Sequence, residues 1–295
     1  MSSNRAHPNF LGLEPPLGER ERARFHVLPV PYEATVSWGK GASRGPEAIL
    51  EASTQVELFD GTSVPAEAGI FTDDPVDAAG DAPERAIERV QERVTEVFRA
   101  GRTPVMLGGE HTVTLGALRA AVACGERFGL VQFDAHADLR DAYEGTRFSH
   151  ACVMRRALEL DVPLFHIGGR SWCSEEAEVR CRHRVGHLDA ADLAATGVPD
   201  ELLDAGFPER IYLTFDVDAF DSSLMPATGT PEPGGLFWYE ALELLGKAVQ
   251  GRRVIGFDVT ELAPYPGLHA ADFTAARLVY AIMGLILKAE RTGGA

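Results

Sequence analysis

Six residues of this chain have types and spacing that could do chemistry together: Asp134, His136 and Asp138, then Asp216 and Asp218, with His111 upstream. Each group follows a short apolar run. Val105-Met106-Leu107 leads into Gly108-Gly109-Glu110-His111, Leu130-Val131-Gln132-Phe133 into Asp134-Ala135-His136-Ala137-Asp138, and Tyr212-Leu213-Thr214-Phe215 into Asp216-Val217-Asp218. A fourth run, Val254-Ile255-Gly256-Phe257, leads into Asp258-Val259-Thr260-Glu261. Side chains alternate in an extended chain, so Asp134, His136 and Asp138 share a face, as do Asp216 and Asp218. Carboxylates crowded at the edge of a buried sheet repel one another and lose hydration, and only strong positive charge offsets that cost. One isolated Asp-x-His would be read as a helix cap or a loop hydrogen-bonding group. Two spaced acid motifs, each behind an apolar strand, point instead to two divalent cations.

Imidazole and carboxylate without thiolate suit a hard-to-borderline cation, so Mn(II) is expected ahead of zinc, cobalt, nickel or iron. Two such ions roughly 3.5–4 Å apart, sharing carboxylates, lower the pKa of water between them and make hydroxide available at neutral pH. The expected chemistry is hydrolysis.

These side chains converge only if their strands lie side by side with the carboxyl ends on one edge. Runs rich in Val, Ile and Phe at 25–30, 104–107, 130–133, 164–167, 211–215 and 254–257 read as buried strands. Helices are expected at 83–100, where Ile87, Val90, Val94, Val97 and Phe98 recur at helical spacing, and at 112–123, 239–249 and 274–289. Strand alternating with helix gives an α/β fold with a largely parallel central β-sheet. The Gly/Pro clusters at 39–46 and 228–235 are loop-sized and read as site loops. Trp38-Gly39-Lys40-Gly41 lacks the Gly-Lys-Ser/Thr ending of a phosphate loop. One domain, 1–295, is expected, with residues 1–20 as an N-terminal extension and 292–295 as a tail, each mobile or packed on a neighbouring subunit.

Composition narrows the partners. The 295 residues carry 28 Lys and Arg against 44 Asp and Glu, a net charge of -16, and no basic patch, which argues against a nucleic-acid or anionic-membrane surface. No signal peptide and no membrane span of about 20 apolar residues is read, so a cytoplasmic protein is expected. Cys124, Cys152, Cys173 and Cys181 are too few and too irregularly spaced for a disulfide scaffold or a CxxC zinc site, and read as reduced thiols.

Taken together, GGEH at 108–111, FDAHAD at 133–138, SHA at 149–151, FDVD at 215–218, TGTPEPGG at 228–235 and Glu261 resemble the ureohydrolase family, which includes arginase and agmatinase. The resemblance runs from Gly41-x-x-x-Gly45-Pro46 to the final helix and implies an arginase-like three-layer sandwich, helices flanking the central sheet. It implies two Mn(II) ions per chain, one on His111, Asp134, Asp138 and Asp216, the other on His136, Asp134, Asp216 and Asp218. It further implies that His150 shuttles protons, that Glu261 grips the guanidinium of the substrate, and that Asp138 orients the nucleophile. A carboxylate suits the task of Glu261 because it accepts two parallel N–H bonds from a planar fork. Urea and an amine would leave. A homotrimer or homohexamer is implied as well.

The motifs resemble agmatinases more than arginases, because Leu139-Arg140-Asp141-Ala142-Tyr143-Glu144 is not the loop that receives an α-amino acid head group. The small cationic guanidino substrate expected is agmatine, cleaved to putrescine in polyamine biosynthesis, with Asp141 or Glu144 available to its distal amine. Arg140 could instead pair with a carboxylate, as in 4-guanidinobutyrate; aminopropylagmatine and arginine are further alternatives. A mononuclear amide deacylase and a catalytically silent metal-binding regulator are the competing classes.

Overall fold

The computed structural model describes residues 8–293, so residues 1–7 of the expected extension and the last two of the tail lie outside it. Eight strands among the described residues form one sheet: β1 Phe25–Val30, β2 Ile70–Thr72, β3 Thr103–Gly108, β4 Gly129–Phe133, β5 Leu164–Ile167, β6 Gly186–Leu188, β7 Arg210–Asp216 and β8 Arg253–Thr260. Their order is β2-β1-β3-β8-β7-β4-β5-β6, and every pairing is parallel. All strands therefore present their carboxyl ends at one edge. Among the described residues eight α-helices connect and cover them: α1 Gly45–Ser53, α2 Pro83–Arg99, α3 Thr114–Ala123, α4 Val153–Leu158, α5 Ser174–Arg182, α6 Ala190–Thr196, α7 Trp238–Val249 and α8 His269–Gly293. The fold is the three-layer α/β sandwich expected.

Strand alternation builds a separate core on each face of the sheet. Val105, Leu107, Val131, Phe133, Leu213, Phe215, Phe257 and Val259 pack with α1, α7 and α8 on one side. Met106, Leu130 and Tyr212 point the other way, to α2, α3 and α4. On that second side Gln132, Thr214 and Asp258 interrupt the apolar pattern near the strand ends, all of them fully buried. α2 starts on Pro83 at its first turn and buries Ala86, Ile87, Val90, Val94 and Val97. Each buried Ile or Val side chain contributes about 1.5–3 kcal/mol relative to exposure.

Two features depart from the sequence reading. α8 is long and apolar enough to cross a membrane by length and composition, over His269–Thr292 with a mean hydropathy of 1.5. More than half of that window is buried inside the fold, where Ala275, Leu278, Val279, Ile282 and Met283 join the core. The stretch following residue 7 is also integral: Phe10, Leu11 and Leu13 are buried in the same core, and the Phe10 and Leu11 N–H groups donate to Thr72 Oγ1 and Ser53 Oγ.

Candidate metal centre

Four central, adjacent strands deliver the chemistry-bearing residues to one edge. β3 ends into His111, β4 into Asp134, β7 at Asp216, and β8 into Glu261. The turn after β3 works because Gly109 has no side chain; a Cβ there would lie 1.9 Å from the Tyr32 carbonyl oxygen. Asp138 and Glu261 both hold left-handed backbone, at φ 51° and 65°. For non-glycine residues this costs about 1–3 kcal/mol and is tolerated where surrounding structure over-determines the position.

The six candidate ligands come together. His111 Nδ1 lies 3.1 Å from Asp138 Oδ2, 3.2 Å from Asp134 Oδ2 and 3.5 Å from Asp216 Oδ2. His136 Nδ1 lies 2.9 Å from Asp218 Oδ2 and 3.7 Å from Asp134 Oδ1. Donor atoms of His111, Asp134 and Asp216 fall within 4.8 Å of one another, and so do those of Asp134, His136 and Asp218. Asp134 is common to both triads.

Backbone amides hold these carboxylates in place. Asp134 Oδ1 accepts from His136 N–H at 2.7 Å, Asp216 Oδ1 from Asp218 N–H at 2.9 Å, and Asp218 Oδ1 from Ala135 N–H at 3.0 Å. Arg170 ties the Asp218 loop to the 232–233 loop, donating to the Asp218, Phe220, Glu232 and Pro233 carbonyls.

The electrostatics are those of a site short of positive charge. Burial, then the charges of Asp138 and Asp218, raise the Asp134 carboxyl from 3.8 to about 7. Burial, then Asp218 and Asp134, push Asp216 well above its ordinary value. Burial alone would lower the His136 pKa; Asp218 and its neighbours overcome this and raise it to about 10. The same contest raises His111, through Asp134 and Asp138. Asp218 is held low despite burial because His136 faces it. Four ionised carboxylates would outweigh two imidazoles even with both rings protonated, which is why Asp134 and Asp216 hold their protons in the absence of other positive charge. Nitrogen and oxygen donors without sulfur, buried and in excess of their counter-charge, fit a pair of divalent cations.

Above the carboxylates lies a cavity of about 320 Å³, reached by His136, Asp138, His150, Asp216, Asp218 and Glu261. His111 and Asp134 are buried and do not line it. Glu261 is buried, accepts the His111 N–H at 2.6 Å, and is pushed well above its ordinary pKa by burial and by Glu110. His150 sits with Nδ1 3.2 Å from Ser149 Oγ and 3.3 Å from Thr35 Oγ1, and its N–H donates to Thr35 Oγ1. Thr35 in turn is anchored by buried Glu110, which accepts from the Ala34 and Thr35 N–H groups and from the Thr35 hydroxyl. Glu110 thus holds the loop on which His150 rests.

The loop residues considered for the far end of a substrate divide. Arg140 and Tyr143 line the cavity, with the Arg140 guanidinium 5.2 Å over the Tyr143 ring and its Nε 3.9 Å from Glu176 Oε2. Asp141 is turned to Arg147 and Arg156 instead, which lower its pKa, and neither it nor Glu144 reaches the cavity. Glu176 is a lining residue that spacing does not single out, and Trp38, from the stretch set aside as a phosphate loop, lines the cavity with Trp172. Spacing does not point to Gln132 or His166 either. Gln132 Nε2 donates to Asp134 Oδ2 at 2.9 Å and to the His136 carbonyl, and His166 Nε2 lies 3.0 Å from the Asp134 carbonyl. Burial and Arg180 lower His166 to about 3, so it is neutral and donates. Their signal was a polar residue inside an otherwise apolar strand.

A parallel α/β sheet with clustered carboxylates and histidines at its carboxyl edge has the donor set to hold divalent metal for hydrolytic chemistry. The sequence profile of the Arginase family matches residues 23–284. The chain is 40% identical over 274 residues to the N(1)-aminopropylagmatine ureohydrolase of Synechocystis sp., covering 90% of each. It is 35% identical over 282 residues to the agmatinase of Pyrococcus horikoshii, covering 92% of this chain and 95% of that one. The crystal structure of the agmatine ureohydrolase of Thermoplasma volcanium superposes with a TM-score of 0.79 at 29% identity, covering 92% of both chains. The chain belongs to the arginase family and is a metal-dependent amidinohydrolase of the ureohydrolase type.

Proposed function

We propose that the chain hydrolyses a guanidino-terminated amine of the agmatine class to urea and a polyamine, using two Mn(II) ions held by His111, Asp134, Asp138, Asp216, His136 and Asp218. The observation that carries this is the convergence of four buried carboxylates and two imidazoles beneath a cavity that also reaches Glu261 and His150. Divalent cations there supply a hydrolytic nucleophile from water at neutral pH and stabilise charge that develops in the transition state. Glu261 binds the guanidinium and orients its carbon toward Asp138 and Asp216; the incoming positive charge is what returns this buried carboxyl to its ionised form. A new C–O bond forms at the guanidino carbon, the C–N bond to the substrate chain breaks, and His150 carries the proton to the departing nitrogen. Asp138 keeps the attacking oxygen aligned.

The cavity argues for an amine rather than an acid at the far end. Arg140 is the one cation among its lining residues apart from the histidines, it shares its charge with Glu176 and the Tyr143 ring, and it faces five lining carboxylates, Asp138, Glu176, Asp216, Asp218 and Glu261. N(1)-aminopropylagmatine is favoured, because the Synechocystis relative named for it is the more similar of the two curated relatives above. Agmatine itself, favoured by the TPEPGG and SHA motifs, is the second reading. Polyamine biosynthesis in the cytoplasm and assembly as a homotrimer or homohexamer belong to the same proposal. The test is kcat/KM of the Mn(II)-loaded chain for both amines, arginine and 4-guanidinobutyrate: the amines are expected to release urea and the acids to lag far behind. Preference for 4-guanidinobutyrate would overturn the substrate class.

A further inference from the structure

We propose that Thr214 and Asp258 form a buried hydrogen-bond relay that fixes the His111 ring with Nε2 protonated and Nδ1 turned to the metal centre. The inference rests on reading His111 as a metal ligand. Asp258 has no role in the chemistry described so far, yet it is a fully buried carboxylate in the middle of the sheet.

Register makes the contact. Thr214 on β7 lies directly opposite Asp258 on β8, and both point to the same face. The Thr214 hydroxyl is 2.5 Å from Asp258 Oδ1, and His111 Nε2 is 2.8 Å from Thr214 Oγ1. Tyr212, two residues before Thr214 and so on the same face, closes the far side by donating its hydroxyl to Asp258 Oδ2 at 2.9 Å. The tyrosine ring fits because residue 256 is glycine; a Cβ there would stand 3.0 Å from Tyr212 Cε2 and 2.8 Å from Pro104 Cγ.

Proton direction follows from the groups. Ionised Asp258 only accepts, so both hydroxyls donate to it. Thr214 has spent its one proton and offers His111 a lone pair, which requires a proton on Nε2. Nδ1, 3.1–3.5 Å from Asp138, Asp134 and Asp216, is then the nitrogen left for a cation. A histidine ligand whose other nitrogen donates to a fixed acceptor is oriented before binding, and loss of such partners weakens metal affinity about 10–100-fold.

The test is Mn(II) titration of the full chain, wild type against Thr214→Val and Thr214→Ser, with thermal unfolding of each metal-free protein as a control. Wild type is expected to bind two ions, and Thr214→Val to hold one of them about 10–100-fold more weakly. Thr214→Ser, which keeps the hydroxyl, is expected to match wild type. Wild-type affinity in Thr214→Val, or equal weakening in Thr214→Ser, overturns the relay alone. A wild-type chain that binds no Mn(II) overturns the metal centre and the relay with it. Nitrogen-15 NMR of the Zn(II)-loaded wild type decides the matter even if the valine variant does not fold: the His111 ring proton is expected on Nε2, and a proton on Nδ1 overturns the assignment.

Discussion

Replacing a metal ligand should stabilise the metal-free protein. In Asp134→Asn the perturbation removes a fully buried carboxyl whose pKa, raised by burial and by Asp138 and Asp218, stands at about 7 against an ordinary 3.8. A rise of about 3 pH units at about 1.4 kcal/mol each costs the folded state about 4 kcal/mol above pH 7. The sign follows from proton binding. Between pH 4 and 7 the folded protein keeps a proton that the unfolded chain has released, so stability falls as pH rises through that window and stays low above it.

Asparagine keeps the bond from His136 N–H to Oδ1 but turns an amide toward Gln132 Nε2, 2.9 Å from the present Oδ2. Two facing donors cost about 1–2 kcal/mol, and Gln132 Oε1, which has no partner, can relieve part of this by an amide flip. The net gain is about 2–3 kcal/mol at pH 8, a rise in Tm of about 5 °C for a chain of this size. At pH 5 the gain should vanish, because only about one pH unit of the penalty has then built up, about 1–2 kcal/mol, and the facing donors offset it. Differential scanning fluorimetry in chelator at both pH values measures this; excess Mn(II) should reverse the order by stabilising wild type alone. A metal-free variant that melts below wild type at pH 8 would refute the reasoning.

Glu261→Gln keeps the oxygen that accepts from His111 N–H but loses the charge that meets the guanidinium. It should lower kcat/KM by roughly 10–100-fold, mainly through KM, with metal content by mass spectrometry unchanged. His150→Asn should lower kcat by about 10²-fold or more at nearly constant KM in steady-state assays, and an effect confined to KM would rule out proton transfer. The metal-free protein should also lose stability above neutrality through His136. Its folded pKa of about 10 exceeds the ordinary 6.5, so its contribution is complete below pH 6.5 and lost as pH rises through 10. Urea midpoints that stay flat or rise from pH 6.5 to 10 in chelator would contradict this.

The central strands were legible because Val, Ile and Phe runs between loop signals have few other uses, and β1, β3, β4, β5, β7 and β8 fall on them. β2 and β6 were not, since three residues at a sheet edge carry too little pattern. α1 begins at the end of what reads as a Gly/Pro loop, with Pro46 in its first turn as a start signal. α5 buries only Glu176, Val179 and Arg180, so its sequence shows little apolar periodicity. The site divides in the same way. Spacing predicts that Asp134, His136 and Asp138 converge, and they do, but not by strand alternation: β4 ends at Phe133 and Asp138 has left-handed backbone, just as Asp218 lies in a 3-10 turn past β7. Contacts such as His111 with Thr214, Asp134 with His166, or Thr35 with Glu110 join distant segments, and only topology brings them together. Asp141 looked as available to substrate as Arg140 until the helix carrying Arg156 was placed beside it.

The most direct test of the metal centre and its chemistry is urea release followed as Mn(II) is added to the chelated full-length chain, with N(1)-aminopropylagmatine and agmatine as substrates. Activity is expected to appear with the second ion, at two Mn(II) per chain, and to be absent in Asp216→Asn. Saturation at one ion per chain, or two bound ions without urea from any guanidino compound, would contradict it.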